Sequence, residues 1–232
     1  TPPTSPTGRP GTATTSPTSN SGTALPTAST KPSPLSNDSD SVNGAINAQG
    51  QTFVTETNIG FVGNVQGGVF SAPLENHGSI SQAILNTVTN NQGFISNSTL
   101  TPNATLLGGT LTGTITNQGV IANTEFVGLK LNGGLLAGNI TNQSQVGGVI
   151  QDVQLAPQAT LYGGRVGGTI TAASDSVLQN VRLVADTNLT GGILKGNIQG
   201  DPNHPAQLTN VEIAAGTQLS YVTLIAPTKL PE

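Results

Sequence analysis

Cysteine, methionine and tryptophan are absent from the 232 residues, and only two Tyr and five Phe are present. Without cysteine there is neither a disulfide nor a thiolate metal site, whichever redox compartment holds the chain. Charge is also scarce: Asp, Glu, Lys and Arg make up 8% of the chain, against about a quarter in ordinary globular domains. Seven Lys and Arg against eleven Asp and Glu leave a net charge of −4. No basic patch is expected to neutralise phosphates, so nucleic acid is excluded as an expected partner and an anionic membrane surface is disfavoured. No apolar run approaches the ~18 residues of a membrane-spanning helix. The chain begins at Thr1, from which a processed or trimmed form is expected.

What is present is glycine, at 30 residues, together with abundant Thr, Ser and Asn. That composition points to an extracellular or cell-surface protein. Residues 1–40 hold ten Thr, eight Ser and eight Pro, with Leu25 and Leu35 as the only large apolar side chains. Such a segment buries too little surface to offset its ordering entropy, so an extended arm or linker is expected, of a composition suited to O-glycosylation.

From residue 41 the chain repeats. Glycine pairs fall at Gly67-Gly68, Gly108-Gly109, Gly133-Gly134, Gly163-Gly164 and Gly191-Gly192. Two residues before each stands Val65, Leu106, Leu131, Leu161 or Leu189, and three residues after its first glycine stands Phe70, Leu111, Leu136, Val166 or Leu194. Upstream of the pairs lie the units VTETNI, ISNSTL, IANTEF, IQDVQL and LQNVRL, and a sixth, LTNVEI, follows the last pair. They start at Val54, Ile95, Ile121, Ile150, Leu178 and Leu208, in steps of 41, 26, 29, 28 and 30, with a shorter unit, ISQAIL, at residues 80–85. Within a full repeat the apolar residues recur at intervals of 5, 6, 5 and 4 before a polar tract of variable length, read as a surface loop. Neither a 3.6-residue helical period nor one long alternating strand gives these intervals; short strands separated by corners do.

Self-similarity of this length without helical segments predicts an all-β fold, a parallel β-solenoid (β-helix) over residues 41–227 with a tail at 228–232. One repeat of 26–30 residues per rung gives about seven rungs, a rod roughly 34 Å tall at the ~4.8 Å strand spacing. On that reading Leu155, Leu161, Val166 and Ile170 stack on Leu183, Leu189, Leu194 and Ile198.

The corners follow from parity. Leu178 and Val181 cannot both face inward along one flat strand, so the chain must turn at Asn180, and Asn tolerates the left-handed backbone that a turn needs. The equivalent positions are Glu56, Asn97, Asn123, Asp152, Asn180 and Asn210, where a ladder of stacked side chains bonded from rung to rung is expected; Glu56 and Asp152 depart from the amide pattern. The glycine pairs serve as corners where the backbone turns or approaches its neighbour closely.

The pattern LxNVxLxxxTxLxGGxLxGxI at residues 178–198 resembles the β-solenoid regions of bacterial secreted adhesins and of surface-layer or filament proteins, and the resemblance covers residues 41–225. It matches no single named family. It implies architecture and a surface setting more than a particular activity.

No catalytic, metal or cofactor site is expected. The acids, among them Glu75, Glu125, Asp152, Asp175, Asp186, Asp201 and Glu212, occupy different phases of the repeat, and His77 and His204 stand alone in loops. Thr110, Thr112, Thr114 and Thr116 alternate as on one side of a strand, an array that suits ordering water or ice, but because it breaks in alternate rungs a solvated β-face filled with β-formers is the expected reading. The last repeat puts Tyr221-Val222 where a glycine pair belongs, and no helix or charged cap follows it. Leu219, Tyr221, Val222 and Leu224 are therefore expected to form a self-association end, stacking copies head to tail into a homopolymer that residues 1–40 help to hold. The expected role is a structural subunit of an extracellular filament or surface assembly. The alternative is a monomeric stalk or adhesin fragment that binds surface glycans, with an ice-binding or polysaccharide-active β-helix ranked behind it.

Overall fold

The computed structural model describes residues 41–143, 147–225 and 227–232, and the arm at residues 1–40 lies outside them. Its architecture is the expected parallel β-solenoid. The described residues contain 31 short strands and no helix, hence no helix long and apolar enough to cross a membrane. The strands pair in parallel from one turn to the next, with Ile46 opposite Val65 near one end of the rod and Leu189 opposite Leu208 near the other.

The rod has three faces. The first is built on strands such as Ala45–Asn47 and Val177–Gln179, the second on Thr52–Phe53 and Arg182–Leu183, and the third on Thr57–Ile59 and Asn188–Thr190. Strands Phe94–Leu100 and Thr110–Asn117 bend across a corner and join the first two faces into one 20-stranded sheet, while the third face is an 11-stranded sheet. Inward residues form the core. On the first face Ile46, Val65, Ile80, Ile95, Leu111 and Phe126 follow one another in register, each at most 3% exposed. Phe53 and Phe70 stack on the second face, ring centroids 4.6 Å apart.

The expected winding is corrected. One turn takes 15 to 21 residues, as in Ile80 opposite Ile95 and Ile140 opposite Leu161, so the rod has about ten turns where one repeat per rung gives seven. Its height is correspondingly roughly 48 Å at the ~4.8 Å spacing. The expected stacking partners are corrected with it: Leu161 lies opposite Leu178, Val166 opposite Leu183 and Ile170 opposite Leu189.

The reason is geometric. The repeat from Ile150 to Leu178 contains five strands, Val149–Gln151, Gln154–Leu155, Thr160–Tyr162, Arg165–Gly167 and Thr169–Ala172. A turn closes after three. Each repeat therefore advances one turn and two faces, and successive repeats begin on different faces. The unit VTETNI is out of phase with the others, because Val54 is 52% exposed and Glu56 is not among the left-handed residues. The unit at Ile80 is in phase, with Gln82 in the left-handed region (φ 56°) one turn below Asn97.

The unit that can be exchanged is consequently the repeat and not the turn. Deleting residues 150–177 puts Gly191-Gly192 where Gly163-Gly164 packs. Deleting residues 161–177 keeps every strand on its face but brings Val181 to the place of Gly164, which fits only without a side chain because a Cβ there lies 2.2 Å from Asn142 Nδ2. In urea unfolding followed by circular dichroism, the 28-residue deletion is expected to keep a cooperative transition, and the 17-residue deletion to lose several kcal/mol or fail to fold.

Candidate functional site

The corner residues adopt the backbone their chemistry allows. Asn97, Asn123, Asp152, Asn180 and Asn210 all have φ between 49° and 56°. At four of them the side-chain Oδ1 accepts a backbone N–H from the next turn: Thr114 (3.0 Å), Asn139 (2.9 Å), Thr169 (2.8 Å) and Asn197 (2.8 Å) donate to Asn97, Asn123, Asp152 and Asn180. The residue before each donor is a glycine. At Gly196 (φ 72°), a Cβ would stand 2.1 Å from Asn180 Oδ1. Asp152 serves as well as asparagine in this bond because the bond to the next turn uses only an acceptor oxygen.

The expected single ladder is corrected. Five strands per repeat carry these residues from corner to corner, so they do not stack on one another. Four of the five instead lock their own turn to a glycine corner of the next.

The glycine pairs are left-handed corners too, at Gly67, Gly68, Gly108, Gly109, Gly133, Gly134, Gly163, Gly164, Gly191 and Gly192. Three of them wrap over buried amides: a Cβ at Gly109, Gly134 or Gly164 would lie 2.0 to 2.2 Å from Nδ2 of Asn91, Asn117 or Asn142. Asn76, Asn91 and Asn117 accept the N–H of Gly78, Gly93 and Gly119 on Oδ1, and Asn76 Nδ2 donates to Asn91 Oδ1 at 2.8 Å. Sequence reasoning places Asn117 and Asn142 in a surface loop, yet they are 2% and 3% exposed. Three of these four buried asparagines stand in Asn-x-Gly, at residues 76–78, 91–93 and 117–119, a spacing that also occurs at 58–60 and 132–134 without a buried amide.

Among the described residues no three His, Asp or Glu side chains gather as metal ligands. His77 Nε2 lies 3.2 Å from Glu75 and His204 Nδ1 lies 3.4 Å from Asp186, both in the open. Asp175 accepts the Gln158 N–H, and Asp201 accepts those of Asn203 and His204, so these carboxylates hold backbone in place. The threonine array is divided: Gly113 (φ 70°) turns the chain, leaving Thr110 and Thr112 on the first face and Thr114 and Thr116 on the second.

The last full turn differs from those beneath it. Leu224 pairs above buried Leu208 and is 44% exposed, Ile225 is 39% exposed, and Leu219 and Val222 are only partly buried. In the first turn, by contrast, Ile46, Phe53 and Ile59 are at most 4% exposed. Tyr221 holds φ 54° and stands where Gly191 stands one repeat earlier. Comparison of the chain with protein-family models, with curated proteins and with solved structures finds no match in any of the three.

Two outcomes follow from the corners. Gly196→Ala is expected to destabilise the rod by at least ~2 kcal/mol, through its φ and its contact with the amide. In a double-mutant cycle read by urea denaturation, Asn180→Gly recovers part of that loss, which it cannot do if the two residues act independently. Tyr221→Gly removes a left-handed aromatic residue and is expected to raise stability by about 1 kcal/mol in the same assay.

Proposed function

We propose that this chain is a structural subunit of an extracellular fibre or surface assembly, lengthened by β-stacking of a second copy on its last turn. The observation that carries the reading is the state of that turn. Its inward column is uncovered at Leu224, and among the described residues no further strand pairs with Gln218–Ser220 or Val222–Ile225. Only the first face is closed there: Lys229 exchanges backbone bonds with Val211 and Ile213 (2.8 Å each), and its Nζ lies 3.7 Å from Glu212.

Unpaired backbone beside exposed aliphatic side chains is a template for another β-edge. The two ends of the rod are different surfaces, so a contact of the last turn with the first-turn edge of another copy is heterologous and propagates instead of closing. The absence of any assembled reaction centre among the described residues and the filled interior favour a mechanical part over a chemical one.

Light scattering and electron microscopy test the reading. Particles are expected to lengthen with concentration, and Leu224→Asp is expected to shift assembly to at least ten times higher concentration while leaving the monomer's circular dichroism unchanged. A protein that stays monomeric at millimolar concentration overturns it.

A further inference from the structure

The chain has seven Lys and Arg in all, and the fold brings two of them into register. Arg165 and Arg182 are paired residues of adjacent turns on the second face, one strand spacing, ~4.8 Å, apart at the backbone. Like charges directly opposite one another on a sheet repel. Neither forms an ion pair among the described residues, where the three pairs present involve His77, His204 and Lys229. Arg165 is held in part by donating Nη1–H to Gly148 O at 3.3 Å.

The pair borders a groove of about 450 Å³ whose lining includes Gly164, Asn180, Asn197 and Gln199. Asn180 Nδ2 donates to Tyr162 Oη at 3.3 Å, which fixes the phenol beside the groove, and the Tyr162 side chain is exposed at 45%. On the other flank of the arginines stands Asp201, whose Oδ1 accepts two backbone N–H groups of its own loop.

We infer that Arg165 and Arg182 form a binding subsite for an oxyanion carried on a saccharide, a uronate carboxylate or a sulfate ester. Two guanidinium forks in register match the paired oxygens of such a group. The amides of Asn197 and Gln199 supply donors and acceptors for neighbouring hydroxyls, and the Tyr162 ring supplies an apolar surface with a polar tip. A nucleic acid backbone is a poorer fit, because it needs a run of cations and this chain has a net charge of −4. The subsite lies on the side of the rod, with Asn197 and Gln199 paired to Gln218 and Ser220 of the last turn, and it stands whether or not the rods assemble.

Retention on immobilised polygalacturonate, dextran sulfate and neutral dextran tests it. Retention on at least one anionic polymer but not on dextran is expected, with Arg165→Ala plus Arg182→Ala weakening it at least tenfold. Tyr162→Ala weakens it less, and Lys130→Ala, on the same face outside the groove, leaves it unchanged. All these side chains point outward, and thermal melting checks that each variant is folded. Free acetate and inorganic sulfate separate the sources: either one competing as well, per charged group, as the polymer shows that the anion alone is bound and overturns the saccharide. Equal retention on dextran, or equal weakening by Lys130→Ala and the double variant, overturns the subsite.

Discussion

The structure depends on a parity constraint. A chain winding round a three-sided core must point a side chain inward on each face, and strict alternation breaks at the corners where inward parity flips, as between buried Ile95 and Ser98 or Leu178 and Val181. The failure is repaired by residues whose φ is positive, a conformation that costs most L-residues about 1–2 kcal/mol. Glycine and asparagine carry that role here, and their abundance is a direct product of the winding. Because Asn97, Asn123, Asp152 and Asn180 commit their side-chain oxygen to the next turn's N–H, the cost of the corner is offset by a bond between turns.

That bond couples neighbours and nothing beyond them. Each turn touches only the turn above and the turn below, so stability builds along the axis as a sum of local interfaces. The core is thin and aliphatic, with aromatic stacking confined to Phe53 and Phe70 near the first turn. An interior turn has both neighbours and is well buried; the last full turn has one, and Leu224 and Ile225 show the difference. The proposed stacking and solubility place opposing demands on the same few side chains, and the Lys229–Glu212 contact is the only ion pair at that end among the described residues.

Much of this is legible in the sequence. The intervals of 5, 6, 5 and 4 between apolar residues are the successive faces of the rod, and parity alone marks Asn180 and Asn210 as corners. Closure is not legible, because self-similarity reports when the pattern recurs and not how many faces make a turn. It therefore matches Leu161 to Leu189, the counterpart in the next repeat, where the backbone pairs it with Leu178. The buried amides escape for a related reason: a polar residue in a variable tract reads as solvent-facing unless the turn beneath it is known. Arg165 and Arg182 are hidden too, since 17 residues of sequence separate two side chains that the winding makes neighbours.

The mismatch between five strands per repeat and three per turn acts as a vernier. Any group that occurs once in every repeat is carried along a spiral path and returns to the same side only after three repeats, or five turns, roughly 24 Å along the axis at the ~4.8 Å spacing. A uniform sequence thus dresses all three flanks with the same chemistry in rotation. A long thin molecule of this kind has no privileged flank by default, and whatever distinguishes one side from another must come from departures such as the two arginines.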